Sequence, residues 1–326
     1  MSLKHVLVTG ANGFIGKNLC RRLVESGNEV TACVREQADV SVFTDVPGSL
    51  KICRIPSLGA VAQLTTTLSS VDTVIHLAGR AHVMHETDAN PLEAFRAVNV
   101  AGTEALASTA AQMGVKRFIY MSSIKVNGEV TSGTPFRADD SPGYCDPYGQ
   151  SKWEAEERLR QIAEASNMEW VIVRPPLVYG PGVRGNFLCL MWSIFRRTPL
   201  PVGSLHNSRS LVSDFNLTDF LSLVVDHPAA ANNRFLVTDP HDISTPDLIR
   251  HVATALGCPH RILPCPEAVL RLAGKVLKKQ TTIDRLCSSL VVDRQKTKDL
   301  LGWSAPTTLD WGLDRTAAWF LKMAHE

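Results

Sequence analysis

A tyrosine, a lysine and a serine stand in this chain at spacings that could move a proton. In DPYGQSKWEAE, Tyr148 and Lys152 lie four apart at the start of a helical pattern. That spacing sets both side chains on one helix face, where an ammonium favours the phenolate and lowers a tyrosine pKa from its reference of about 10. Such a pair can take or give a proton at a hydroxyl or carbonyl. Tyr-x-x-x-Lys by itself is also a common solvated helix face. What tips the reading is Ser123 in YMSSIKVNG, 25 residues upstream at the end of a strand pattern, where its hydroxyl could hold a substrate oxygen.

A second cluster could hold an anion. In VLVTGANGFIG, Gly10, Gly13 and Gly16 fall between a strand pattern and a helix pattern. Glycine permits the tight turn and lets the backbone approach a pyrophosphate seated on the helix N-terminus. The spacing is G-x-x-G-x-x-G, and its strand-turn-helix setting separates it from an ordinary glycine turn. The next strand, in VTACVRE, closes on Val34 and Arg35, where a site for plain NAD usually carries a ribose-binding carboxylate. Arg35 can pair with a 2′-phosphate, although Glu36 is adjacent. NADP(H) is therefore the preferred cofactor, and NAD(H) the alternative.

Strands and helices must position these groups. Apolar runs at 5–9, 29–34, 73–77, 117–121 and 170–174 are short, β-branched and nearly continuous, as in strands buried on both faces. Helical patterns lie between them at about 14–26, 91–113 and 148–165. Asn90 can cap the second, Pro91 takes its first position, and Gly114 follows its last turn. The alternation predicts an α/β fold, a doubly wound parallel Rossmann sheet with a smaller C-terminal substrate-binding lobe. The dinucleotide domain spans 1–175, completed by returning segments within about 209–240, with late strands near 210–213 and 234–238. The lobe takes 176–208 and 241–326, beginning where PPLVYGPGVRGNF changes the texture.

The bulk numbers bound the partners. A formal net charge of +2 with 20% charged residues makes no polyanion-binding stripe, so nucleic acid is not an expected partner. No run reaches spanning length and the start runs straight into a strand, which predicts a soluble cytoplasmic protein with no membrane partner. The eight cysteines show neither a C-x-x-C pair nor zinc-type spacing, so no metal is expected. His82 and His85 come nearest to a metal pair, and a loop or substrate-facing role suits them better.

With these motifs in order, the chain resembles the extended short-chain dehydrogenase/reductases, in the branch of nucleotide-sugar epimerases, dehydratases and reductases such as UDP-glucose 4-epimerase. The resemblance runs through TGANGFIG, HLAG at 76–79, NVAGT at 99–103, the Ser/Tyr/Lys set, RPPLVYGPG at 174–182 and LGW at 301–303. It implies that Ser123 polarises the sugar oxygen, Tyr148 is the acid/base, and Lys152 tunes Tyr148 while holding the nicotinamide ribose. Cofactor contacts would come from Gly10, Asn12, Gly13, Phe14, Ile15, Gly16, Arg35, Leu77, Ala78, Gly79, Asn99, Tyr148, Lys152 and Pro175. Arg209 matches the arginine that such enzymes put on the nucleotide diphosphate, and Arg285 is similar to a second one. Asn186, Phe187 and the PLPVG backbone around Val202 would complete the UDP-sugar site.

Where the family's dehydratases follow the serine with Asp and Glu, this chain has Ile124 and Lys125, which disfavours dehydration. The resemblance therefore implies hydride transfer at C4 of a nucleotide-activated hexose in surface-polysaccharide biosynthesis. With Arg35, it favours an NADPH-dependent reductase of a UDP-4-keto-hexose. A UDP-hexose 4-epimerase is the alternative, and a non-catalytic dinucleotide sensor is the remote one, which the intact catalytic set argues against. A homodimer through a four-helix bundle of the helices at 91–113 and 148–165 is also implied.

Overall fold

The computed structural model describes residues 3–46, 48, 50–81, 90–277 and 280–325. His82 and His85 lie outside the described residues. In chain order the strands are β1 (His5–Thr9), β2 (Glu29–Arg35), β3 (Leu50–Ile55), β4 (Thr73–His76), β5 (Arg117–Met121), β6 (Glu169–Arg174), β7 (Leu177–Tyr179), β8 (Leu211–Ser213) and β9 (Asn233–Leu236). The helices are α1 (Gly16–Glu25), α2 (Val61–Leu68), α3 (Pro91–Phe95), α4 (Ala101–Gln112), α5 (Pro147–Glu164), α6 (Gly185–Phe195), α7 (Asp214–Leu223), α8 (Thr245–Ala255), α9 (Glu267–Val276), α10 (Gln280–Cys287), α11 (Gln295–Leu301) and α12 (Leu309–His325).

Seven strands form one parallel sheet in the order β3-β2-β1-β4-β5-β6-β9. The winding reverses between β1 and β4, and in such sheets the crevice beyond the strand C-termini at that reversal is where a ligand binds. Strands β1, β4 and β5 are buried at every position, which is why their sequences are unbroken apolar runs rather than alternations. β3 departs from that pattern. As the sheet edge it exposes Lys51 and Arg54, and its mixed text LKICRI carries no buried-strand signal.

Two apolar layers cover the sheet. One joins α1 and α7 to β1, β2 and β6 and includes Leu19, Leu23, Phe220 and Phe235. The other packs α2, α4 and α5 against the opposite face through Leu64, Leu106, Leu159 and Phe118. A separate core of Tyr179, Phe187, Ile249, Leu313 and Phe320 holds α6, α8 and α12 together. Segment 211–237 sits with the sheet, and Leu301 of α11 joins the same sheet-side core although its sequence position falls within the lobe as expected from sequence. The short parallel pair β7-β8 forms a second sheet.

The helix expected over 91–113 is interrupted. Asn90 caps it, Pro91 is in its first turn and Gly114 follows in the left-handed region at φ 77°, but residues Arg96–Val100 form a π turn between α3 and α4. One extra residue per turn swings Asn99 inward, where it is 1% exposed.

Candidate active site

The sequence-expected residues converge because each follows the C-terminal end of a parallel strand. Gly10 follows β1, Arg35 ends β2, Leu77 follows β4, Ser123 lies just past β5, and Pro175 follows β6. Gly10 has φ 64°, and a Cβ there would lie 2.9 Å from the Ala78 nitrogen. At Gly16 a Cβ would lie 2.7 Å from the Ala11 Cα. Two of the three glycines are thus required by close packing of turn, helix and β4 loop. Gly13, whose N–H donates to the Gly10 carbonyl at 3.0 Å, is instead exposed and open to a ligand. Phe14, Ile15 and Asn12 flank it, half-buried, ahead of α1. A turn this tight, at a helix N-terminus and a sheet switch point, fits a dinucleotide pyrophosphate.

Opposite it, Leu77, Ala78 and exposed Gly79 form the β4 side of the crevice. Asn99 closes that loop: its Oδ1 accepts from the Arg80 N–H at 2.8 Å, and its Nδ2 donates to the Arg80 carbonyl at 3.1 Å and to Ser151 Oγ at 2.9 Å. A Cβ on Gly79 would sit 3.1 Å from Asn99 Oδ1 and 3.4 Å from Lys152 Nζ. The loop after β4 and Lys152 therefore meet at Gly79. Pro175 is buried, and its carbonyl accepts from the Ile124 N–H at 3.0 Å, which ties β6 to the serine loop. Arg35 is exposed at the rim.

Tyr148 and Lys152 occupy the first turns of α5, whose N-terminus Asp146 caps through the Gly149 N–H at 2.7 Å. Ser123 lies near enough to Tyr148 to pull its pKa down, so the three candidate residues share one site. The electrostatics differ from the sequence expectation. Tyr148 is pushed up to about 12, chiefly by burial and then by the Asp146 carboxylate, while Ser123 pulls it down. Lys152 is held by β5. Its Nζ donates to the Met121 carbonyl at 2.8 Å and the Tyr120 hydroxyl at 3.2 Å, and lies 4.6 Å from the Tyr120 ring centre. Burial depresses Lys152 itself to about 8, against a smaller upward pull from Glu156.

Sequence reasoning missed the groups beneath this lysine. His76 bridges Thr9 Oγ1 at 2.7 Å and Thr103 Oγ1 at 3.0 Å, and burial pushes it down to about 3, so it is neutral. Tyr120 packs beside His76, and its hydroxyl accepts from Lys152 at 3.2 Å. The HLAG and NVAGT stretches contain His76 and Thr103, but only the β4-β5 register places Tyr120 beside His76.

The arginines lie across the mouth. Arg209 is half-buried and donates from Nη1 to the carbonyls of Arg285 at 2.8 Å and Ser288 at 3.0 Å. Burial, with the Arg285 charge, moves its pKa down. Arg285 reaches Glu129 at 2.7 Å, and the same Glu129 pairs with Lys125 at 3.0 Å. Lys125 also pairs with Asp146 and sits 5.9 Å from the Tyr148 ring centre. The two arginines and the triad therefore border one continuous polar cluster. Ile124, in the position where dehydratases carry an acid, is buried among Leu290, Val292 and Leu236.

The remaining substrate candidates divide. Asn186 is exposed in the first turn of α6, whereas the Phe187 ring stacks on Tyr179 at 5.6 Å and is 2% exposed. Val202 is 3% exposed in the lobe core. The Phe187 side chain is consumed by packing, which leaves its backbone, with the expected PLPVG backbone around Val202, for a ligand.

The family model described as NAD dependent epimerase/dehydratase family matches residues 6–237. The chain is 44% identical over 322 residues to a UDP-glucose 4-epimerase of Vibrio cholerae, covering 98% of this chain and 96% of that one. It is 28% identical to the N-acetyl-alpha-D-glucosaminyl-diphospho-ditrans,octacis-undecaprenol 4-epimerase of Escherichia coli O157:H7, covering 96% and 94%. Among solved structures, the UDP-glucose 4-epimerase of Thermotoga maritima with UDP-glucose superposes with TM-score 0.77 at 21% identity, covering 98% and 99%. MoeE5 in complex with UDP-glucuronic acid and NAD superposes with TM-score 0.78 at 24% identity, with the same coverage.

Proposed function

The chain belongs to the NAD-dependent epimerase/dehydratase family, and from that premise we propose that it is a UDP-hexose 4-epimerase, an enzyme of the extended short-chain dehydrogenase/reductase type. The observation that carries the reading is the triad of Ser123, Tyr148 and Lys152 at the switch-point crevice, with no carboxylate at 124 or 125. Ser123 holds the C4 oxygen of the sugar, and Tyr148 takes its proton and later returns it. Lys152 anchors the cofactor ribose at Gly79. The bound nicotinamide supplies the hydride acceptor and donor. Arg209, Arg285, Asn186 and the backbone at Phe187 and Val202 hold the UDP.

An epimerase shares every one of these roles with a reductase of a UDP-4-keto-hexose, the reading favoured by sequence. The activity of the 44% identical Vibrio cholerae relative supports epimerisation over reduction. Arg35, exposed at the ribose end of β2, is the observation that favours the second reading, an NADPH-dependent reductase. The setting is cytoplasmic synthesis of surface polysaccharide. The protein is a homodimer that pairs through α4 and α5, whose outer surface is a groove bordered by Arg96, Ala97, Val100, Trp153 and Glu157.

The experiment is a mass-balanced incubation. Purified protein should retain NAD and interconvert UDP-glucose or UDP-N-acetylglucosamine with its 4-epimer, without net change in nicotinamide absorbance. NADPH oxidation in proportion to a UDP-4-keto-hexose consumed, abolished in Arg35→Ala, would overturn it in favour of the reductase.

A further inference from the structure

Helix α9 carries two apolar faces, and the fold uses one. Leu270 and Gly274 are buried, and Gly274 lies against Ile283 of α10, where a Cβ would be 2.9 Å from that side chain. On the other side Val269, Leu272 and Val276 recur at spacings of three and four and are 53%, 63% and 75% exposed. Leu277, 67% exposed, follows directly after the row, and Leu263, 50% exposed, lies on the segment that leads into the helix. A surface helix normally turns polar residues outward, and a contiguous exposed apolar row marks an interaction site.

The charge around the row identifies what covers it. From Arg261 to Lys279 the sequence carries Arg261, Arg271, Lys275, Lys278 and Lys279 against Glu267 alone, in a chain whose whole net charge is +2. Lys278 and Lys279 lie outside the described residues, so the surface rests on the others. Lys275 is exposed one residue from Val276, and Arg271 pairs both with Glu267 at 2.7 Å and with Asp284, so the positive charge of the described rim is carried by Lys275 and the exposed Arg261. Leu200 donates to the Arg261 carbonyl at 2.8 Å and accepts from the Leu263 N–H at 2.9 Å, which fixes the exposed Arg261 and Leu263 on one extended segment. An apolar row with a basic rim matches an interfacial helix lying on anionic lipid headgroups. A second copy of the chain would set the same positive rim against itself, with like charges opposed.

We infer that α9 is an interfacial docking helix that holds the protein reversibly on an anionic bilayer surface. Association is peripheral, since no helix among the described residues is long and apolar enough to cross a membrane. Helix α10, which packs on the opposite side of α9 from this row, carries Arg285 at the polar cluster that reaches Tyr148. The inference does not depend on which sugar reaction the cleft performs.

Cosedimentation of the full-length protein with vesicles of phosphatidylglycerol and phosphatidylcholine tests it, against vesicles of phosphatidylcholine alone. The wild type should bind the anionic vesicles, release with salt, and leave the neutral ones in solution. The doubly substituted Leu272→Asp, Val276→Asp protein should bind at least about tenfold more weakly, since withdrawing one leucine-sized side chain from the interface already exceeds the roughly 1.4 kcal/mol that tenfold represents. Its circular dichroism melt should be unaltered, and should it unfold, Lys275→Glu with Arg261→Glu gives the same readout with a loss of about fivefold or more. Absence of wild-type binding, binding unaffected in a folded variant, or an oligomer dispersed by these substitutions would overturn the inference.

Discussion

Tyr148 shows how far a residue's chemistry depends on its immediate surroundings. Buried beside Asp146 and near Ser123, its phenol is pushed up to about 12, chiefly by burial. Tyr148→Phe should remove nearly all turnover and leave cofactor affinity almost unchanged, as read by steady-state rates and cofactor titration, because it deletes one proton without packing volume. Activity within a few-fold of wild type would refute the acid/base role. Lys152 makes a pH prediction. Its native pKa is about 8 against an ordinary 10.5, so between these values the unfolded chain binds more protons than the native one. Native stability therefore rises with pH across that window, and the burial penalty is complete below it. A Lys152→Met variant lacks this term. Urea unfolding should show the wild type gaining on the variant between about pH 7 and about pH 10, and a constant difference would contradict the assigned environment.

At the scale of elements, the β1-α1 turn and the α4-α5 face each carry a prediction. A Cβ on Gly16 collides with the Ala11 backbone at 2.7 Å, so Gly16→Ala must push α1 away from the turn that receives the pyrophosphate. Calorimetric titration should show dinucleotide affinity falling by about tenfold or more, while a triad residue such as Ser123→Ala leaves it intact. Small residues on α4, including Ala97 just before it and Ala101 within it, permit close approach of a partner helix. Light scattering should give a dimer at micromolar concentration, with Ala101→Arg giving a monomer. A monomeric wild type would remove the dimer.

At the scale of the whole molecule, one chain of polar contacts joins residues far apart in sequence. Arg209 connects through Arg285, Glu129 and Lys125 to Tyr148, so UDP bound there should stabilise the native state by mass action, about 2.7 kcal/mol at one hundred times the dissociation constant. Arg209→Ala should weaken UDP inhibition and raise the KM for UDP-sugar together, with kcat little altered, because it strips a charged contact remote from the reacting carbon. UDP inhibition equal to wild type would place Arg209 off the diphosphate.

What the amino-acid sequence determined was whatever short-range pattern encodes. Strands buried on both faces read as unbroken apolar runs, and Asn90, Pro91 and Gly114 punctuate a helix start and stop. Gly10 and Gly16 are demanded by backbone contacts that no side chain could share, and Tyr148 with Lys152 is a helix-face spacing. The edge strand β3 and helix α2 escaped because an exposed edge has no reason to be apolar. The π turn at Arg96–Val100 escaped because one extra residue in a turn leaves no mark on periodicity. Tertiary structure alone decided where Lys152 sends its ammonium, since Met121 and Tyr120 reach it only through the β5-α5 packing. It likewise decided that the rings and branches of Phe187 and Val202 belong to a core. Burial is a property of the assembled fold, and a pKa or a ligand contact follows burial more closely than it follows residue type.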